Sequence, residues 1–497
     1  MLAAIAGAGA VRAQSVQTSA APDAVAVTVY RAPDREADRK IDLGWLGGYA
    51  LVTETRTVAI PAGRAVIRFE GVASGILPES AIVTGLPAGV REKNLDGELL
   101  SAASLYSRGY ARPVTLRRTR DGKTVEERAI IRSGPEGSAI VETGRGIEIL
   151  NCGPTEDAIA YDGVPAGLSA RPTLSVETES PQGGTATVTL SYLAWGFDWQ
   201  ANYVATLHEG GAAADLFAWV TLASTDMTSF ADAQTMVVAG KVNRTTMRTS
   251  NPYESPDSFE FRCYLKDNIG GAADAAGIPP PAPAPPAPPV AMYRTAQEVV
   301  VTGARVRKVE QEDLGDLKAY RVPEPTTVAA KSQKQVALLG KDAVPVSIVY
   351  ESKVFSHQVA ELQILVRAVN RADKGLGLPL PAGPVALFER QGQHALLIGE
   401  SATDDKAVGE EVEVKFPIAA NVTVEARDIA SKGRERTREL VVSNANPFAI
   451  RYEADFNLNG EVKAPTRLGS KNGRKLWAAV VPANGTATLR YREIAPR

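Results

Sequence analysis

The stretch LSYLAWGFDWQANYVATL, residues Leu190–Leu207, sets Tyr192, Trp195, Phe197, Trp199 and Tyr203 close together in a chain that is only 6% aromatic. One alternating run closes at Tyr192, the residues Ala194–Asp198 interrupt it, and a second run resumes at Tyr203. Two strands with a bend between them would bury these rings where one sheet passes to the next, so Trp195 and Trp199 are expected to be packed.

Working outward, the turn-then-strand pattern recurs. It appears at Ile60–Val72, Gln182–Leu193, Ala330–Gly340 and Val481–Ile494, and the second and fourth share Gly-Thr-Ala-Thr at 184–187 and 485–488. Period-2 alternation after a tight turn is the mark of a half-buried strand, with Thr, Arg or Lys on the wet face. The expected fold is mainly β: several immunoglobulin-like β-sandwich modules in series, with a Pro/Ala-rich linker or excursion. The boundaries read as a leader and polar tail at 1–26, an N-terminal β-rich region at 27–172 and the first part of a β domain at 173–269. The linker follows at 270–297, then a second part of that domain at 298–410 and a C-terminal sandwich at 411–497. The spacing is too irregular for a solenoid.

Within these blocks, Leu95–Tyr110 permits a short helix bounded by Gly97 and Gly109. Asp121-Gly122 turns a hairpin inside Val114–Ile131. Its basic run, Arg117 to Arg120, is offset by Glu126 and Glu127 and reads as a solvated face. The tract GGAADAAGIPPPAPAPPAPPV at Gly270–Val290 cannot pair in a sheet and is expected to be an extended spacer.

A chain of 497 residues with 44% hydrophobic content should divide into roughly three or four domains. Its 55 basic and 57 acidic residues leave a formal charge of -2, which gives no global attraction to nucleic acid. The start, MLAAIAGAGAVRAQS, reads as the apolar part of a secretory signal cleaved after Ala13; the basic n-region is missing, so the segment is either a truncated signal or none. No other run approaches the ~18 apolar residues of a membrane helix. Cys152 and Cys263 suit an oxidising compartment, where one disulfide between them is expected, the other reading being two separate thiols. Neither stands in a C-x-x-C pair, which disfavours redox catalysis and structural zinc.

Chemistry-bearing motifs are scarce. His208, His357 and His394 each stand alone and read as surface or strand-end histidines. Glu310, Gln311, Glu312, Asp313 and Asp316 form an acidic loop without calcium-loop spacing. Gly122-Lys123-Thr124 lacks the leading glycine of a phosphate loop, Gly375-Leu376-Gly377 lacks the third glycine of a dinucleotide fingerprint, and no G-x-S-x-G elbow occurs. Asn-x-Thr at Asn243, Asn421 and Asn484 reads as chance. No catalytic residue, cofactor or metal ligand is assigned.

Several segments occur in order: the Trp195/Tyr203 stretch, Val237–Arg244, Asp313–Leu339, Leu380–Ser401 and Val412–Arg427. Together they resemble the mucoidy-inhibitor-like family of bacterial proteins, whose C-terminal part is a domain of unknown function. The resemblance covers about Thr173 to Arg497 and, more loosely, Tyr49–Ser175; the coiled coil typical of members is missing here. It implies an extracytoplasmic β-rich protein with no established catalytic residues. Gln297–Val306 is also similar to the segment opening the plug of TonB-dependent receptors, and the extended run within Val299–Arg305 could add a strand to a partner's sheet edge.

The resulting expectation is a non-enzymatic cell-envelope scaffold or binding protein, periplasmic or secreted. Its partner would be another envelope protein or a polysaccharide, not nucleic acid, and its oligomeric state stays open. The alternative is an envelope hydrolase acting on polysaccharide or peptide with carboxylates assembled from separate strands.

Overall fold

The aromatic stretch forms two strands, Gly184–Trp195 and Phe197–Leu207, that belong to different sheets of the computed structural model. Gly196 makes the break with φ 84, and a methyl group there would lie 2.9 Å from the Thr225 hydroxyl, so glycine is required on both counts. Trp199 is fully buried and donates its Nε1–H to the Val238 carbonyl at 3.0 Å. Trp195 is half-buried, its ring edge-on to Tyr49 at 6.2 Å.

The structure describes residues 15–97, 99–120, 123–133, 139–150, 156–165, 168–240, 310–314, 317–360, 362–392, 394–417 and 421–496. The leader, Cys152, Cys263, the 270–297 tract and the 299–305 segment lie outside them, as do Asp121, Gly122 and Asp316. Strand accounts for 63% and helix for 3%, so the protein is mostly β, built from several sheets as expected of a multi-module sandwich.

Five of these sheets build the body of the fold. Sheet A holds Ser15–Ser19, Gly63–Glu70, Thr173–Ser180 and Glu92–Asp96. Sheet B runs Glu310–Leu314, Leu317–Arg321, Phe230–Ala239, Ala24–Tyr30, Tyr49–Ile60, Gly184–Trp195, Ile82–Thr84, with Thr326–Val328 beside it. Sheet C is Ser332–Pro345, Ala213–Ser224, Phe197–Leu207, Gly383–Gln391, His394–Thr403. Sheet D is Glu411–Pro417, Gln363–Val369, Ser347–Val354, Ile450–Phe456, Arg474–Val481, Gly469–Lys471. Sheet E is Val422–Lys432, Glu435–Asn444, Gly485–Ile494, Glu461–Lys463.

One apolar core runs from A through B and C into D, and a second lies between D and E. All four repeated turn-strand segments are strands, and the two Gly-Thr-Ala-Thr runs open theirs. The modules nevertheless interleave along the chain. Tyr49–Ile60 pairs over its whole length with Gly184–Trp195, and Ala24–Tyr30 lies parallel to Phe230–Ala239, so no break between hydrogen-bonded units falls at 172/173. None falls at 410/411 either, because Ser347–Val354 lies parallel to Ile450–Phe456 and the C-terminal sandwich takes two of its strands from before residue 411. Parallel pairing joins strands distant in sequence and leaves no turn between them to read.

The sixth sheet is an insert between two strands of sheet A. It holds Gly146–Ile149, Ile140–Thr143, Lys123–Ile131, Pro113–Arg120 and Glu156–Ala160, preceded by the helix Ala102–Arg108. Ser101 caps that helix by accepting from the Ser104 amide, and Gly109 follows its last turn, as the glycine positions led one to expect. Tyr106, Leu116, Ile131 and Val141 give the insert a core of its own. Its ends meet: Leu99 bridges Ser169, and the Leu100 amide donates to the Ser169 carbonyl at 2.8 Å.

Candidate functional site

Sheet D concentrates charge because Glu411–Pro417 alternates strictly and Gln363–Val369, although Leu365 and Val366 are both buried, turns Arg367 away from the core. In Glu411–Pro417, Val412, Val414 and Phe416 enter the core while Glu411, Glu413 and Lys415 take the other face; in Gln363–Val369, Val366 goes in and Arg367 out. The register sets Arg367 directly opposite Glu413, and Glu351 beside Glu453 in a parallel pair. Residues 351 to 474 therefore converge on one face.

Arg367 is its centre. Its guanidinium meets Glu453 through two contacts, at 3.1 and 2.9 Å, Glu413 at 2.6 Å and Glu411 at 2.7 Å. Arg474 grips Asp455 at 2.6 Å, while Lys471 binds Glu413 and stands 3.9 Å from Glu351. Glu453 and Asp455 are 2% and 5% exposed, so these pairs sit largely out of water, where charge-assisted bonds are strong.

The carboxyls titrate apart. Burial pushes Glu413 and Glu453 up, yet the bonds from Lys471 and Arg367 outweigh it and hold both below the ordinary carboxylate range. Glu351 goes the other way: burial raises it, and the pull of Lys471 and Lys415 does not compensate. The hydrogen bonds that Arg367 donates to Glu453 raise it further above its usual value.

Behind this face, on the core side of the same two strands, lies an apolar cavity of about 60 Å³ between sheets C and D. Leu216, Val366, Leu380, Val385 and Val414 line it together with Tyr203 and Thr403. Neither hydroxyl offers a free donor to the space, since Tyr203 donates to the Pro381 carbonyl at 2.6 Å and Thr403 to the Asp404 carbonyl at 3.2 Å. Buried Asn370 ties down the segment that covers the cavity: its amide donates to the Leu378 and Ala407 carbonyls and its oxygen accepts from the Gly377 amide.

Residues singled out by sequence stay apart from this site. His208 sits at a strand end against Asp215 at 2.8 Å, and His357 and His394 are exposed. Arg117 pairs with Glu126 and Arg118 with Glu127, the internal balance expected of that hairpin, and Arg118 also reaches Glu148 on the strand Gly146–Ile149; with Thr143 and Arg118 donating to it, Glu148 is held down to about 2. Glu310–Leu314, expected as a loop, is a strand, because Leu317–Arg321 returns alongside it. Among the described residues no three His, Cys, Asp or Glu side chains are grouped to hold a metal ion, and no helix is long and apolar enough to cross a membrane. The Arg367 cluster was missed because its members lie up to about a hundred residues apart; the alternating Glu-Val-Glu-Val-Lys of 411–415 was its one local signal. No family model matches the chain, and no curated protein is found similar to it.

Proposed function

We propose that the chain is a non-enzymatic, extracytoplasmic β-sandwich protein that binds an envelope protein or polysaccharide through the charged face of sheet D. The observation that carries this reading is Arg367 with its carboxylates: both signs of charge are fixed in place on a rigid sheet, so little order remains to be imposed on binding. The resemblance to mucoidy-inhibitor-like proteins supports the location. The test leaves the pairs of Arg367, Lys471, Arg474 and Arg451 intact and reverses only the exposed rim charge Lys415→Glu, followed by crosslinking and capture from intact cells and by binding to isolated envelope polysaccharide. Partner capture should fall and the remainder should weaken with salt; unchanged capture with a folded variant overturns the assignment.

A second reading, hydrolysis of polysaccharide or peptide, draws on one feature. Glu351 and Glu453 are register neighbours whose carboxyls are pushed in opposite directions, the pattern of an acid and base pair. Turnover of envelope polysaccharide by the native chain that is lost in Glu351→Gln would favour it.

A further inference from the structure

The cavity between sheets C and D lies on the opposite side of Gln363–Val369 from the charged face, and its chemistry is different. A lining without free polar groups rejects water, and genuinely dry cavities take apolar guests. At about 60 Å³ it has the room of a short aliphatic group. Leu216, Val346 and Ala368 are only half-buried, which places the way in at their end of the sandwich.

A charge waits at that end. Lys341 stands opposite Leu216 in the ladder between Ala213–Ser224 and Ser332–Pro345, on the same face of the sheet as the core residue Leu339. Lysine on the inner face of a sandwich is unusual, and among the described residues Lys341 forms no salt bridge. A second cation is near in the chain fold: Lys374 precedes Gly375, which packs on Val344 closely enough that a methyl group there would lie 3.5 Å from the Val344 Cα. Lys374 likewise forms no salt bridge among the described residues.

We infer that this cavity is a binding site for a short aliphatic carboxylate, its hydrocarbon end between sheets C and D and its carboxylate at Lys341, with Lys374 alongside. The apolar part supplies shape and size selection; the lysine selects the anion over a neutral molecule of the same length.

Saturation-transfer NMR titrations of the whole chain with butanoate, acetate and 1-butanol test it. Butanoate should bind with millimolar affinity, and acetate about tenfold more weakly for want of two methylenes. Lys341→Gln should weaken butanoate several-fold and leave 1-butanol unchanged. Ala368→Leu, which fills the cavity, should abolish both; Ala205→Val serves the same purpose if the larger change fails to fold, as judged by circular dichroism. Absence of butanoate binding to the native chain overturns the inference. Equal binding by a folded cavity-filled variant puts the guest elsewhere, and equal butanoate affinity in Lys341→Gln leaves that lysine an edge-guarding charge only; either outcome also overturns it.

Discussion

Two of the arginines that carboxylates hold in this molecule, Arg56 and Arg367, are held differently. Arg56 lies between sheets A and B, as inaccessible as its partner Glu54, at 2.7 Å. All three of its nitrogens are hydrogen-bonded: Nε to Glu54, Nη1 to the Ser19 carbonyl and Nη2 to the Glu70 carbonyl, each at 2.8 Å. Glu54 in turn accepts from Tyr192 at 2.7 Å, whose oxygen takes the Ala73 amide. Arg367 by contrast faces outward and serves three carboxylates, with Lys471 and Arg451 as further cations for them. A closed set with one partner per group fastens two sheets together, whereas an open set with interchangeable partners can accept an outside charge. Burial of an ion pair alone therefore does not separate a fastening from a binding face; the connectivity does.

The largest effect is expected at the closed site. Arg56→Met should cost about 3–5 kcal/mol, because Glu54 loses its cation in a sealed interface where burial already raises its carboxyl, and the Ser19 and Glu70 carbonyls lose their donor; urea unfolding measures it. At the open site Arg367→Met should cost about 1–3 kcal/mol, since Arg451 and Lys471 still serve Glu453 and Glu413; an equal loss at both sites would erase the distinction. The smallest effect belongs to Glu351→Gln. Its carboxyl is raised above the ordinary 4.5, so the folded chain holds the proton more tightly than the unfolded one. That contribution to stability is present below pH ~4.5 and is lost as pH rises through the folded value. The variant should match the native chain at acid pH and exceed it at neutral pH, which the pH dependence of the urea midpoint reads directly. A native chain that gained stability over that interval through this residue would reverse the sign.

Much of this architecture could be read from the residues. Alternation and turns locate the strands, and the aromatic bend at Gly196 marks the passage from one sheet to the next, because large rings beside a glycine tolerate few other placements. The insert's hairpin and helix were visible through the Asp121-Gly122 turn and the glycine at 109 that bounds the helix. What was hidden depends on pairing across distance. Nothing in Ser347–Val354 points to Ile450–Phe456, and Arg367 carries no mark of Glu453. The closed site was hidden for another reason: strict alternation puts Glu54 and Arg56 on the same side as Val52 and Val58, yet a charged pair on an apolar face reads equally as a change of face until the opposing sheet is known.

The bridge between Leu99 and Ser169 has a consequence for how such a chain can change over generations. Because the excursion leaves and rejoins sheet A at a single point and carries its own core, it behaves as a cassette. Its removal is expected to leave the flanking strands Glu92–Asp96 and Thr173–Ser180 in register with each other. The frame and the passenger are thus free to diverge at different rates, and joining residues 99 and 169 by a short glycine linker is the natural cut for obtaining the frame alone.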